Sequence, residues 1–182
     1  MVRGRPIYVD ASPLIGLARI DHLDLLRVLA VPARVTKHVW QEVSQDERRP
    51  GAKQLIEAKQ VGLLLVVAEG DPADYPLLGV GEASVLSAAK VGRGVAILDE
   101  RKARVLIDLD AQLREAVPYL TTTALLVLAK EMGAISHVRP ILDALRRETF
   151  YIGEKVYEDA LRVADEWPVS LLHRPADYPE RQ

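Results

Sequence analysis

Short, unbroken apolar runs alternate with longer amphipathic stretches along this chain. The runs IYVD (7–10), LLLVV (63–67) and VAILD (95–99) are rich in branched residues; AVPYL (116–120) and the weaker VPARV (31–35) resemble them. Runs without in–out alternation suit strands buried on both faces, and helices between such strands cover a parallel sheet. The pattern predicts the α/β class, a three-layer α/β/α arrangement around a central, mostly parallel sheet.

The helix signals have physical causes. Ser12 is placed to cap a first helix with Pro13 at its first position, where a missing N–H costs nothing; Leu14, Leu17 and Ala18 then share a face. Asp21 is placed to cap HLDLLRVLA. Thr36 precedes KHVWQEVSQ, in which Val39 and Val43 lie four apart. Residues 51–61 form a helix ended by Gly62, and Gly81 precedes EASVLSAAK, which Gly92 and Gly94 stop. ERKARVLIDLD follows the VAILD run, Thr121 or Thr122 caps ALLVLAKEM, and Gly133 closes it. Helices around 140–148 and 154–166 complete one domain over 1–166, with a polar, proline-containing tail over 167–182. The segment EGDPADYPLLGVG (69–81) is a loop, either a plain connection or a substrate-side element. The apolar stripe ALLVLA (124–129) exceeds what a small core needs and suggests a homodimer.

Composition narrows the chemistry. The 182 residues are 49% hydrophobic and 27% charged, enough for a packed domain. Net charge is −2, so the chain is no basic nucleic-acid coat; phosphates would have to be met by a local basic patch or through cations at an acidic site. There is no cysteine, which excludes a disulfide framework, thiolate-bound zinc, iron–sulfur clusters and thiol catalysis. No leader pattern or run approaching about 20 apolar residues is visible, and the expected setting is the cytoplasm. No P-loop, Rossmann fingerprint or nucleophile elbow occurs, and GRG at 92–94 is too short for a phosphate loop.

Carboxylates are the remaining candidates. Asp10 follows IYV, and Asp99 follows VAIL with Glu100 beside it. Ligands of open parallel sheets gather at the carboxyl ends of strands, so the two charges converge if their strands are neighbours. Each also has a structural role open to it, in a turn or at the positive end of the next helix. Glu82 opens the EASVLSAAK helix, and Glu42 lies within a helix beside Trp40. His38 and Glu42 share a helix face without a third partner. Arg101, Lys102 and Arg104 form either a solvated helix face or a phosphate-facing set. No aromatic stacking platform stands out.

In their order, IYVDASPLIGLARI, VTKHVWQEV, LGVGEASVLSAAK, AILDERKAR and the stretch from TTTALLVLAKEMG to RPILDALRRETFYI resemble the PIN-domain superfamily, in a prokaryotic branch related to the VapC-like toxins. The resemblance spans roughly residues 5–160. It implies a nuclease, foremost a ribonuclease, dependent on Mg²⁺ or Mn²⁺, with Asp10, Glu42, Glu82 and Asp99 as the acidic set. Metal would be held by Asp10, Glu82 and Asp99, or by Glu100 in place of Asp99. Ser12, Arg101, Arg104 and Thr122 would meet the RNA, and an antitoxin protein would be the partner. One departure is plain: related members carry Gly-Thr where this chain has Thr121-Thr122, which keeps the hydroxyl and loses the glycine. The alternative is a non-catalytic nucleic-acid- or protein-binding module on the same fold. A phosphatase with Asp10 as nucleophile would want a second Asp where Ser12 stands.

Overall fold

A computed structural model describes residues 4–46 and 48–166; the tail expected over 167–182 lies outside the described residues. Five strands, β1 (Ile7–Val9), β2 (Ala33–Thr36), β3 (Leu64–Val67), β4 (Val95–Ile97) and β5 (Tyr119–Leu120), form one sheet in the order β3-β2-β1-β4-β5. Every pairing is parallel, with Val9 opposite Ile97 in the central pair. Helices flank both faces, which is why Ile7, Tyr8 and Val9 are all fully buried and the strand shows no alternation.

The helices are α1 (Ala11–Arg19), α2 (Lys37–Ser44), α3 (Ala52–Gln60), α4 (Val80–Val91), α5 (Arg101–Leu109), α6 (Ala111–Ala116), α7 (Thr122–Glu131), α8 (Arg139–Arg147) and α9 (Glu154–Glu166). Thr36 caps α2 by accepting from the Val39 N–H at 3.3 Å, and Thr121 caps α7 by accepting from Ala124 at 3.2 Å. Strand order reverses between β1 and β4, so their carboxyl ends flank the crevice where such sheets bind ligands.

Several boundaries differ from the sequence expectation. Asp10, not Ser12, is the N-cap of α1. Pro13 falls third in the helix, still within the first turn, whose N–H groups have no helical partner. Asp21 does not start the next element. It takes a left-handed conformation (φ 58°) and ends α1: its N–H donates to Ala18 O, and the next N–H, from His22, to Leu17 O, as in a Schellman turn. The next element, Leu23–Leu29, is a 3-10 segment instead of an α-helix. Asp110 ends α5 and caps α6, accepting from Gln112 and Leu113 N–H, so the acidic residue marks a break unseen in the periodicity. The glycines of GRG serve packing: a Cβ at Gly92 or Gly94 would meet the buried Tyr8 side chain at 2.2 or 2.6 Å. The apolar stripe of α7 is divided: Leu125, Leu126 and Ala129 are fully buried within the chain, while Ala124, Val127 and Leu128 are only partly covered. Among the described residues no helix is long and apolar enough to cross a membrane.

Candidate active site

Asp10 leaves β1 at the switch point, tied by its N–H to Ile97 O of β4 at 3.1 Å. An aspartate at an N-cap usually turns its carboxylate onto the helix N–H groups. Here it makes no such capping bond, although it is only 3% exposed. Burial pushes its pKa from 3.8 up to about 7; the nearby Ala11 N–H opposes the rise, while Glu82, Glu42 and Asp99 add to it. No Arg or Lys among the described residues forms an ion pair with any of these four carboxylates.

Glu42 is brought in by α2 and Glu82 by α4, and a polar tie beneath the surface sets the two helices together. The buried hydroxyls of Thr36 and Ser84 lie 2.7 Å apart, and Ser84 Oγ also donates to Gly81 O at 2.7 Å. Gly81 is where the backbone passes between acids: a Cβ there would lie 3.0 Å from Glu42 Oε2 and 3.5 Å from Asp10 Oδ1. Glu82 turns back to accept from the Gly79 N–H at 3.1 Å. Its pKa is raised, first by burial and then by Glu100 and Glu42, with Gly79 and Lys102 opposing.

Asp99 sits two residues beyond β4 and is held by Thr122. The Thr122 N–H donates to Oδ1 at 2.9 Å and its hydroxyl to Oδ2 at 2.5 Å, a charge-assisted pair of bonds. Burial still leaves its pKa raised, with Thr122 and then Arg104 pulling it down. Glu100, by contrast, is exposed and caps α5 through the Lys102 N–H.

The sequence-derived set therefore separates. Asp10, Glu42, Glu82 and Asp99 face one another closely enough to perturb Asp10, and Arg104 extends its field to Asp99. Glu100 acts on Glu82 from the rim. Thr122 is fully buried with both donors on Asp99, so its place is behind a carboxylate and not in front of substrate. Arg101 is exposed and lines an outer groove with Leu77, Val105 and Leu109, which reaches the acidic rim through Glu100. Ser12 is exposed and lines a cleft that runs from Asp99 and Glu100 to Arg19 and Tyr151. Arg19 and Tyr151 escape sequence reasoning because 132 positions separate them in the chain.

The donor set is all oxygen, negatively charged and not ion-paired with any described Arg or Lys, which fits a hard divalent ion such as Mg²⁺ or Mn²⁺. Two of the carboxylates are already engaged by protein donors. Among the described residues no three Asp, Glu or His side chains stand grouped as an ion would need them, and His38 with Glu42 gains no third ligand.

An all-parallel sheet with acids gathered at its switch point defines an α/β protein with an acidic, cation-compatible site. Residues 6–166 match a family model described as a PIN domain, and the chain belongs to that family. PIN domains are typically nucleases, which puts the chain in the nuclease class. No curated protein and no solved structure gave a significant match.

Proposed function

We propose that this chain is a Mg²⁺- or Mn²⁺-dependent ribonuclease of the VapC-like branch, the toxin of a toxin–antitoxin pair, acting in the cytoplasm as a single PIN-like domain over 1–166. One observation carries the nuclease reading: at the switch point, Asp10 is buried among Glu42, Glu82 and Asp99, with no described Arg or Lys paired to it. Like charges so placed favour a bound divalent ion over separate ionisation. Asp10 and Asp99 would be its core ligands, with Glu82 and Glu42 completing the shell directly or through water. Bound there, the ion would supply a more acidic water and offset the charge developing on the phosphate.

The chain's own residues have distinct tasks. Thr122 holds both oxygens of Asp99 in place. Asp10 must be deprotonated to bind a cation, so at limiting metal, binding strengthens as pH rises toward the metal-free pKa of about 7. Arg104, half-buried near Asp99, lends positive charge to a phosphate at that rim. The toxin role and the antitoxin partner rest on the family resemblance.

The test is cleavage of an RNA and single-stranded DNA panel with Mg²⁺, Mn²⁺ or EDTA by the parent chain and Asp10→Asn. Metal-dependent RNA cleavage, lost in the variant with its fold retained, is expected; equal cleavage by the variant would sink the site. Growth arrest on expression, relieved by the product of an adjacent gene, tests the toxin role. One observation favours a second reading, a non-catalytic binding module: both oxygens of Asp99 and one of Glu82 are already engaged by protein donors. Failure of the folded chain to bind Mn²⁺ would select it.

A further inference from the structure

The cleft beside the acidic rim has a second wall that the proposed chemistry leaves unused. It encloses about 300 Å³ between Ser12, Arg19, Asp99, Glu100, Thr149 and Tyr151. That volume is at the lower end of small-molecule sites. The wall is the turn that ends α8. Thr149 N–H donates to Arg146 O at 3.2 Å and Phe150 N–H to Leu145 O at 3.0 Å, a Schellman turn.

Such a turn normally takes glycine at its left-handed position. Here that position is Thr149, at φ 63°, a conformation that disfavours a β-branched residue. What threonine adds is a hydroxyl. One terminal nitrogen of Arg19 donates to it at 3.4 Å and to Glu148 O at 3.0 Å. Phe150 seats on α1 where Gly16 leaves room: a Cβ at Gly16 would stand 2.6 Å from its ring. These contacts lock the turn to α1 and leave Tyr151 standing out, 92% exposed. Arg19 is the one cation lining the cleft among the described residues. The protein engages only one terminal nitrogen of its guanidinium, and its Nε is buried without a partner.

A strained turn, an anchored but incompletely satisfied arginine and a bare aromatic ring thus meet beside the acids. We propose that this cleft is a nucleotide subsite, in which Tyr151 stacks on one unpaired base and Arg19 holds that nucleotide's phosphate, presenting the neighbouring phosphate to Asp10 and Asp99. The proposal rests on the nuclease reading and deepens it. It assigns a preference for single strands, because a ring reaches a base face only where that face is free, and little preference among bases, since every base has a π-face.

The experiment measures binding without cleavage. Asp10→Asn chain is titrated into a fluorescein-labelled RNA of about eight nucleotides, single-stranded or annealed to its complement, and anisotropy is read at several salt concentrations. Tyr151→Ala weakens single-strand binding roughly 5- to 100-fold, while Tyr151→Phe keeps it. Arg19→Ala weakens binding and lowers the salt slope by about one, and Arg19→Lys keeps the slope. Thr149→Gly, which relieves the backbone, folds at least as stably yet binds more weakly because Arg19 loses an anchor; a purely structural role for the turn predicts no such loss. Unchanged binding in Tyr151→Ala, equal binding of duplex, or no RNA binding at all overturns the subsite. If the parent chain still cleaves RNA in those cases, the nuclease reading survives alone. If the variants behave as expected but the parent is inert with Mg²⁺ and Mn²⁺, the subsite stands and the nuclease reading falls.

Discussion

The ends of β1 and β4 are neighbours in the sheet and both carry an aspartate, yet they are wired in opposite ways. Asp99, past β4, has both oxygens occupied by Thr122 and the field of Arg104 nearby. Asp10, past β1, is more deeply buried, has no side-chain donor and faces three other carboxylates. One acid is a fixed post; the other is a valence left open. A site assembled only from satisfied carboxylates would be a stable rim with little reason to take a cation. A site assembled only from unsatisfied ones would destabilise the sheet end on which it stands.

The contrast can be broken most directly at Asp10. Unfolded, its carboxyl titrates near 3.8; folded, at about 7, so the native state holds the proton more tightly. Its contribution is complete below about pH 3.8 and is lost as pH rises through about 7. At about 1.4 kcal/mol per pKa unit, the loss is on the order of 4 kcal/mol. In EDTA, Asp10→Asn is therefore expected to be more stable than the parent at pH 8, by a few kcal/mol, and the gap should close at pH 4. Urea unfolding at the two pH values measures it, and Mn²⁺ should restore the parent at pH 8. An identical pH dependence in both chains would erase the distinction between the two acids.

At the other post the expected effect is smaller and opposite in sign. Thr122→Val keeps the shape of a fully buried side chain but removes the hydroxyl bond to Asp99. Losing a bond to a charged group costs about 1.5–3 kcal/mol. Thr122→Ser, which keeps the donor, should cost less than about 1.5 kcal/mol, the loss of a buried methyl. Denaturant midpoints at pH 7 separate the two. Equal losses would mean that packing, and not the bond to Asp99, is what Thr122 provides.

Much of the frame behind this contrast is legible in the sequence. Five largely apolar runs locate the five strands, most plainly at β1 and β4, which are covered on both faces and buried at every position. Caps at Thr36 and Thr121 follow from hydroxyls placed before helical runs. Asp10 and Asp99 stand out because a charge ending an apolar strand needs a reason. The wiring is not legible. Nothing local in TTTA says that the second threonine reaches Asp99 across 23 positions, since that depends on β4 and β5 being paired. Asp21 resembles a cap because capping and left-handed turns favour the same residue. Tyr151 and Arg19 meet only when the end of α8 folds back onto α1, and no periodicity encodes that meeting.

Gly81 offers a test in which stability and activity part company. Its backbone is helical, so alanine brings the helix up to about 1 kcal/mol in propensity. The new Cβ would lie 3.0 Å from Glu42 Oε2, which an exposed, flexible carboxylate escapes by rotating away. Gly81→Ala should leave Tm unchanged or slightly raised and weaken Mn²⁺ binding, read by titration calorimetry. Unaltered Mn²⁺ affinity would take Glu42 out of the site and leave Asp10 facing Glu82 and Asp99 alone.

Glu82 lies between the two conditions, half satisfied by one backbone donor and still raised by its neighbours, and its neutralisation should have the smallest effect on the fold. Glutamine keeps an oxygen to accept from Gly79 N–H. It gives up the favourable charge at the start of α4, worth about 0.3–1 kcal/mol, and also removes repulsion from Glu100 and Glu42. These oppose each other, so Glu82→Gln should shift stability by less than about 0.5 kcal/mol, while Glu82→Ala, which loses the bond as well, costs about 1 kcal/mol. The Mg²⁺ concentration for half-maximal cleavage should nevertheless rise several-fold in the glutamine variant, because a cation recruits the charge and not the hydrogen bond. If glutamine costs as much stability as alanine, the carboxylate's charge is what holds the turn, and Glu82 belongs with Asp99 as a structural post. If neither stability nor the Mg²⁺ requirement changes, the open side of the site narrows to Asp10 and Glu42, and the polarity of the rim rests on β1 alone.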